Sequence, residues 1–327
     1  MNILYILGNG FDKAQGLATT YPEFYADWLK RKPESELEQK VLNSIQGDYE
    51  TWADLEKGLG EYSAKWADER EFRKILNLFN ARLKEYLIAQ NNRLEGMDLS
   101  RAKLLNHLCQ PELFLEPSVR AVYERLVYSS HTSVHIDVVT FNYTNTLELA
   151  LRGIYRGDIL QQFYNNNYYF DGILHLHGTL DEMILVGVND ESQIANVTFR
   201  DNQYLRKSFI KPEINEGCMN TRNSDFSIKI ESADIIVFFG ASIGETDNLW
   251  WHLIGLRMAE KNPPLLLYFP YDPSKDTVAT PNYKRIWCDE YISFLQDRMQ
   301  IKQSRDVLEQ SIRIGINKDF LKLSDQS

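Results

Sequence analysis

Only three cysteines occur in 327 residues, Cys109, Cys218 and Cys288, and they lie far apart. No Cys-x-x-Cys pair exists, which excludes a structural zinc ribbon, and an odd, scattered set argues for a reducing compartment. Positive charge is also short: Lys and Arg number 36 against 46 Asp and Glu, a formal net charge of −10. With no long basic run, the chain lacks the electrostatic footprint of a nucleic-acid binder. No stretch approaches the roughly twenty apolar residues a membrane-spanning helix needs. The apolar run at the N-terminus has no basic segment before it, so it reads as a core strand and not as a signal peptide. These absences lead us to expect a cytoplasmic protein that touches neither membrane nor nucleic acid.

What is present is an ordinary globular composition, with 43% apolar and 25% charged residues over a length that suits one large domain with an insertion or two smaller ones. Short apolar runs bounded by turn residues predict buried strands at residues 3–8, 136–141, 173–178, 183–188, 235–240 and 265–269. From Tyr21 to about Tyr128 the texture is helical, with apolar residues at three and four spacing, as in Phe72, Ile75, Leu76, Phe79, Leu83 and Leu87. Strand–helix alternation elsewhere points to a mainly parallel sheet covered on both faces. The expectation is one α/β domain over 1–327, interrupted by a helical insertion at about 25–130. The segment 165–169 has the composition of a hairpin rim, and 307–323 reads as a peripheral helix with loose ends.

Four blocks end at predicted strands. The first is Gly8-Asn9-Gly10-Phe11-Asp12, continued by Gly16-Leu17-Ala18-Thr19-Thr20-Tyr21. Two glycines between a strand and a helix allow a sharp turn and a close ligand, although Lys13 stands where a dinucleotide fingerprint has its third glycine. The second is Thr140-Phe141-Asn142-Tyr143-Thr144-Asn145, where Thr144 or Asn145 could simply cap a helix while Asn142 precedes the cap. The third is His175-Leu176-His177-Gly178. On a strand the two histidines would share a face; a chelating pair lacks further ligands nearby, so no metal is expected. The fourth is Gly240-Ala241-Ser242-Ile243-Gly244-Glu245-Thr246-Asp247, in which Asp247 could be a plain N-cap. A further segment, Trp52-Ala53-Asp54-Leu55-Glu56, reads most simply as a packed Trp–Leu pair with a solvated acidic face, and Glu56 reaching a cleft as the sharper alternative. In a doubly wound sheet, blocks that follow strands gather along one edge, where such folds bind ligands.

The stretch from Gly8 to Phe24 resembles the opening of AbiH-type phage abortive-infection proteins, which in turn are similar to distant members of the SIR2-like nucleotide-binding superfamily. The later blocks extend the likeness: Thr-x-Asn at 140–142, His-Gly at 177–178 and Gly-x-Ser at 240–242. The resemblance implies a Rossmann-like sheet of the SIR2 and DHS type with a large helical insertion. It implies Asn142 working at the nicotinamide ribose and His177 as general base. It implies Gly8, Asn9, Gly10, Asp12, Gly16, Thr19, Gly240, Ser242 and Asp247 as nucleotide-binding positions. Thr144 stands where the family has an aspartate, and the sirtuin arginine after the glycine loop is absent, as is the zinc ribbon. Peptide deacetylation is therefore set aside in favour of an antiphage effector that hydrolyses NAD+ at the nicotinamide–ribose bond. The alternative is a non-catalytic NAD or nucleotide sensor that regulates a partner. NAD enters as substrate or ligand and no cofactor is required. The partners implied are a phage-derived trigger or another defence protein, with homo-oligomeric assembly.

Overall fold

The computed structural model describes residues 1–128, 133–163, 165–272, 281–317 and 319–324. Among these residues seven strands form one sheet: β1 (Asn2–Leu7), β2 (Val134–Thr140), β3 (Ile159–Phe163), β4 (Asn166–His175), β5 (Ile235–Phe239), β6 (Leu265–Phe269) and β7 (Ile312–Ile314). Their order is β3-β4-β2-β1-β5-β6-β7, parallel except for β3, which pairs antiparallel with β4 as the edge. The central strands are apolar throughout because both faces are covered. Ile3, Tyr5, Leu7, Val237 and Leu267 pack on one face, and Leu4, Ile6, Ile236, Phe238 and Leu266 on the other, the alternation a strand requires. After β1 the chain builds outward through β2 to β4, then returns to lay β5 against the free side of β1. The strand order thus reverses at β1, between β2 and β5, and open α/β sheets bind ligands at the carboxyl edge of such a switch point.

A separate core lies in a helical layer outside the sheet. Phe24, Trp28, Trp52, Phe72, Phe79 and Leu83, from the segment between β1 and β2, pack with Val186, Ile194, Phe199, Leu205 and Phe209, from the segment between β4 and β5. The helical insertion expected at 25–130 thus has a second contributor that its own sequence does not announce.

Two local expectations are corrected. Residues 183–188 are not a strand: only Val188 makes an isolated bridge, to Ile210, and the apolar side chains there fill the helical layer. The described part of the C-terminal tail is docked and not loose. After the helix Arg305–Ser311 and β7, Phe320, Leu321 and Leu323 are fully buried. Gln15 fixes them, donating from Nε2 to the Leu321 carbonyl at 2.8 Å and accepting the Leu323 N–H at Oε1 at 2.8 Å. A helical period cannot be seen in a segment that docks by isolated side chains. Among the described residues no helix is long and apolar enough to cross a membrane.

Candidate functional site

A cavity of about 520 Å³ lies between the carboxyl edge of the sheet and the helical layer. Gly8, Asn9, Asp12, Asn142, His177, Gly240, Ser242 and Asp247 line it from the sheet side, and Thr19, Tyr21, Asp54, Glu56, Leu83 and Leu87 from the helical side. Its size falls in the roughly 300–1,000 Å³ range of small-molecule and cofactor pockets, and its wall combines aromatic and apolar side chains with carboxylates, hydroxyls and amides.

The glycines at its floor serve a purpose the sequence did not suggest. Gly8 N–H donates to the Phe239 carbonyl at 3.0 Å and Gly10 N–H to the Gly240 carbonyl at 2.9 Å. A Cβ on Gly8 would stand 2.6 Å from Gly240 O, and one on Gly240 would stand 2.4 Å from Gly10 Cα. Gly240 also holds φ at +61°. The loops after β1 and β5 touch backbone to backbone, which is what demands glycine, and the Gly8 and Gly10 N–H groups are satisfied inside the protein. Gly10 and Gly16 are not in the cavity wall; Gly16, with φ at +83°, stops the short helix Gly10–Ala14. Asn9 accepts a hydrogen bond from the Thr19 hydroxyl, which draws the following segment over the loop.

Asp12 is almost fully buried and accepts from the hydroxyls of Thr144 and Thr146, each at 2.7 Å. Burial pushes its carboxyl up to about 6 against these hydrogen bonds. Thr144 is therefore a tie to Asp12, and Asn145, at the N-cap position of the helix Thr146–Ala150, makes no side-chain cap. Asn142 donates from Nδ2 to the Gly8 carbonyl at 3.1 Å, and its own carbonyl accepts from His175 Nδ1 at 2.9 Å.

β4 ends at His175, so the alternation of a strand does not reach His177, and the two rings have different partners. His175 Nε2 lies 2.5 Å from Glu148, whereas His177 Nε2 lies 2.9 Å from Asp247 Oδ1. Burial disfavours the charged form of His175, but the Glu148 carboxylate and the Asn142 carbonyl outweigh it and raise the proton affinity of the ring. The folded state thus binds this proton more tightly than the unfolded chain. The stability it adds is full below the ordinary histidine value of about 6.5 and is lost as pH rises through the folded value. His175→Ala should therefore lower the urea midpoint more at pH 5.5 than at pH 8.5; a gap that widens with rising pH would contradict the pairing.

Asp247 precedes the helix Asn248–Met258 but makes no side-chain cap. Its Oδ1 also meets Lys211 Nζ at 2.8 Å, and the same ammonium meets Glu56 Oε2 at 2.7 Å. Glu56 Oε1 accepts from Gly187 N–H at 3.2 Å. Glu56 is thus buried in the cavity wall, not on a solvated face, because the residues around 187 and 211 cover its helix, Leu55–Tyr62. Trp52 and Leu55 are both buried in the core of the helical layer, although the extended Asp54 separates the turn Thr51–Ala53 from that helix. Burial raises Glu56 despite Lys211 beside it, while Lys211 and His177 hold the half-buried Asp247 well below the usual carboxylate range. An ionised Asp247 requires a donor at His177 Nε2, so the tautomer that can act as a base carries its lone pair on Nδ1. Among the described residues no group of three or more His, Cys, Asp or Glu is placed to hold a metal.

The model of the AbiH family, bacteriophage abortive infection, matches residues 4–269. The chain belongs to the AbiH family. Its place is therefore in antiphage defence by abortive infection. No curated protein matches it. In this AbiH chain the matched span runs from β1 to the end of β6 and includes every residue of the cavity wall. Lys211 is the member of the cluster that the sequence reading missed. A signal existed: a lysine opens the helix Lys211–Gly217, where the positive end of the helix dipole repels a cation.

Proposed function

We propose that this AbiH protein is an antiphage effector that hydrolyses NAD+ at the nicotinamide–ribose bond. The observation that carries the reading is the His177–Asp247 pair in a cavity at the sheet's switch point, with Asn142 in the same wall. Cleavage needs the C–N bond to break with its electron pair leaving on nicotinamide, an oxocarbenium-like ribose to be held, and a water to attack C1′. Asn142 does not titrate; with Nδ2 tied to Gly8, its Oδ1 is the atom offered to a ribose hydroxyl or to that water. His177 Nδ1 takes the water's proton, and Asp247 stabilises the imidazolium that forms. Two carboxylates, Glu56 and Asp247, face the single ammonium of Lys211, an acidic surrounding that favours a cation developing nearby. The products are ADP-ribose, nicotinamide and a proton. Ser242, exposed on the loop after β5, and Thr19 supply hydroxyls to the rest of the dinucleotide.

The test is incubation of purified protein with NAD+, with and without extract from phage-infected cells as a source of trigger, and chromatographic assay of nicotinamide. Release is the expected result. NAD+ binding without release would replace hydrolysis by the nucleotide-sensor reading.

A further inference from the structure

Four carboxylates, Asp12, Asp54, Glu56 and Asp247, line the cavity, and among the described residues no lysine or arginine does. The ammonium behind the wall, Lys211, is held between Glu56 and Asp247. Lys13, on the helix after the glycine loop, is paired with Glu23. Gly8 and Gly10 N–H groups, the expected phosphate donors, bond to Phe239 and Gly240. What the cavity offers an anion is therefore a few backbone groups and hydroxyls such as Thr19 and Ser242. Rossmann-type clefts hold a diphosphate diester on such groups, and an acidic side chain there hydrogen-bonds a ribose 2′-hydroxyl, whereas a 2′-phosphate is accommodated by an arginine.

We propose, resting on the NAD+ reading above, that the cavity selects its ligand by charge, accepting the dinucleotide with a free 2′-hydroxyl and rejecting the 2′-phosphorylated form. A phosphate monoester would enter as an unpaired dianion among carboxylates, a like-charge arrangement that strongly disfavours the wrong ligand. Nucleoside triphosphates are rejected on the same ground. Asp54 is the carboxylate best placed to test this. Its Oδ1 caps the helix Leu55–Tyr62, accepting from Glu56 and Lys57 N–H. Its Oδ2 lies about 4.0 Å from where a Cβ on Gly244 would stand, so it faces the loop that carries Ser242. Asparagine caps a helix as well as aspartate does, so Asp54→Asn removes the charge and keeps the fold.

The experiment is calorimetric titration of the purified full chain with NAD+, NADP+ and ATP at pH 7.5, with nicotinamide release measured on both dinucleotides. NADP+ and ATP should bind about a hundredfold more weakly than NAD+. Asp54→Asn should narrow the NAD+/NADP+ gap several-fold, chiefly by tightening NADP+. Equal affinity for the two dinucleotides overturns the selectivity while leaving hydrolysis standing if both are cleaved. A gap that Asp54→Asn does not narrow assigns rejection to shape and overturns the charge argument. NAD+ bound selectively but uncleaved supports the selectivity and overturns hydrolysis, and binding of neither overturns both.

Discussion

His177→Ala should lower the rate of nicotinamide release by about a hundred- to ten-thousand-fold, the usual loss when a general base is removed. The substitution leaves a cavity-facing gap and not a hole in the sheet, since His177 stands past the end of β4 and its ring nitrogen bonds only Asp247 among the described residues. Thermal unfolding should therefore move little, apart from the cost of an Asp247 with one donor fewer. Asn142→Ala should reduce release comparably while leaving the histidine–aspartate pair in place. It removes the Nδ2 bond to Gly8 and the one neutral amide the reaction is assigned. Asp247→Asn discriminates further. An amide can present its oxygen or its NH2 to Nε2, so the ring loses its fixed tautomer and the rate should fall although the geometry survives. Rates within threefold of wild type in His177→Ala would remove the ring from the mechanism; the next residue to examine would then be His175.

Lys211→Met should be the most destabilising single change in the site, at about 3–5 kcal/mol, the range for breaking a buried ion pair by removing one partner. Lys211 is only 3% exposed and Glu56 4%, so of the two carboxylates Glu56 cannot turn to water when the ammonium goes. One of the two must then take up a proton. Glu56 is the candidate, because burial already raises it while Asp247 keeps His177 as a partner. Urea unfolding at pH 7 measures the loss. The double variant Glu56→Gln/Lys211→Met should recover a large part of it, since the amide is neutral and can still accept the Gly187 N–H at its oxygen. A single variant as stable as wild type would mean that water reaches the cluster and screens it. The cluster joins a helix of the first insertion, a helix of the second and the loop after β5, so the same experiment measures how firmly the helical layer is attached to the sheet.

Much of the sheet was readable because its residues obey a local rule. The runs at 3–8, 235–240 and 265–269 are apolar without alternation, as strands buried on both faces must be, and they appear as β1, β5 and β6. The same rule failed at 183–188. A buried irregular segment and a buried strand have the same composition, and only pairing partners distinguish them. The edge strand β7 escaped notice because three residues are too few to show a period.

In the site, sequence located the loops and misread what several residues do there. Asp247 and Thr144 look like helix caps, and cap chemistry is local, so the reading was sound as far as neighbours along the chain can say. Their actual partners are His177, Lys211 and Asp12, between 36 and 132 residues away. Glu56 looks like a solvated acid for the same reason. Its burial depends on Gly187 and Lys211, which arrive from the segment between β4 and β5. The glycines were noticed for the freedom they give a ligand, yet at Gly8, Gly10 and Gly240 it is a second loop that occupies the space. Sequence by itself thus determined the α/β class, the central strands and the blocks that meet at one edge, because strand burial and turn chemistry are written in adjacent residues. Tertiary structure alone decided the charge cluster, the second half of the helical layer and the docking of the tail, because each depends on long-range contacts for which no local periodicity exists.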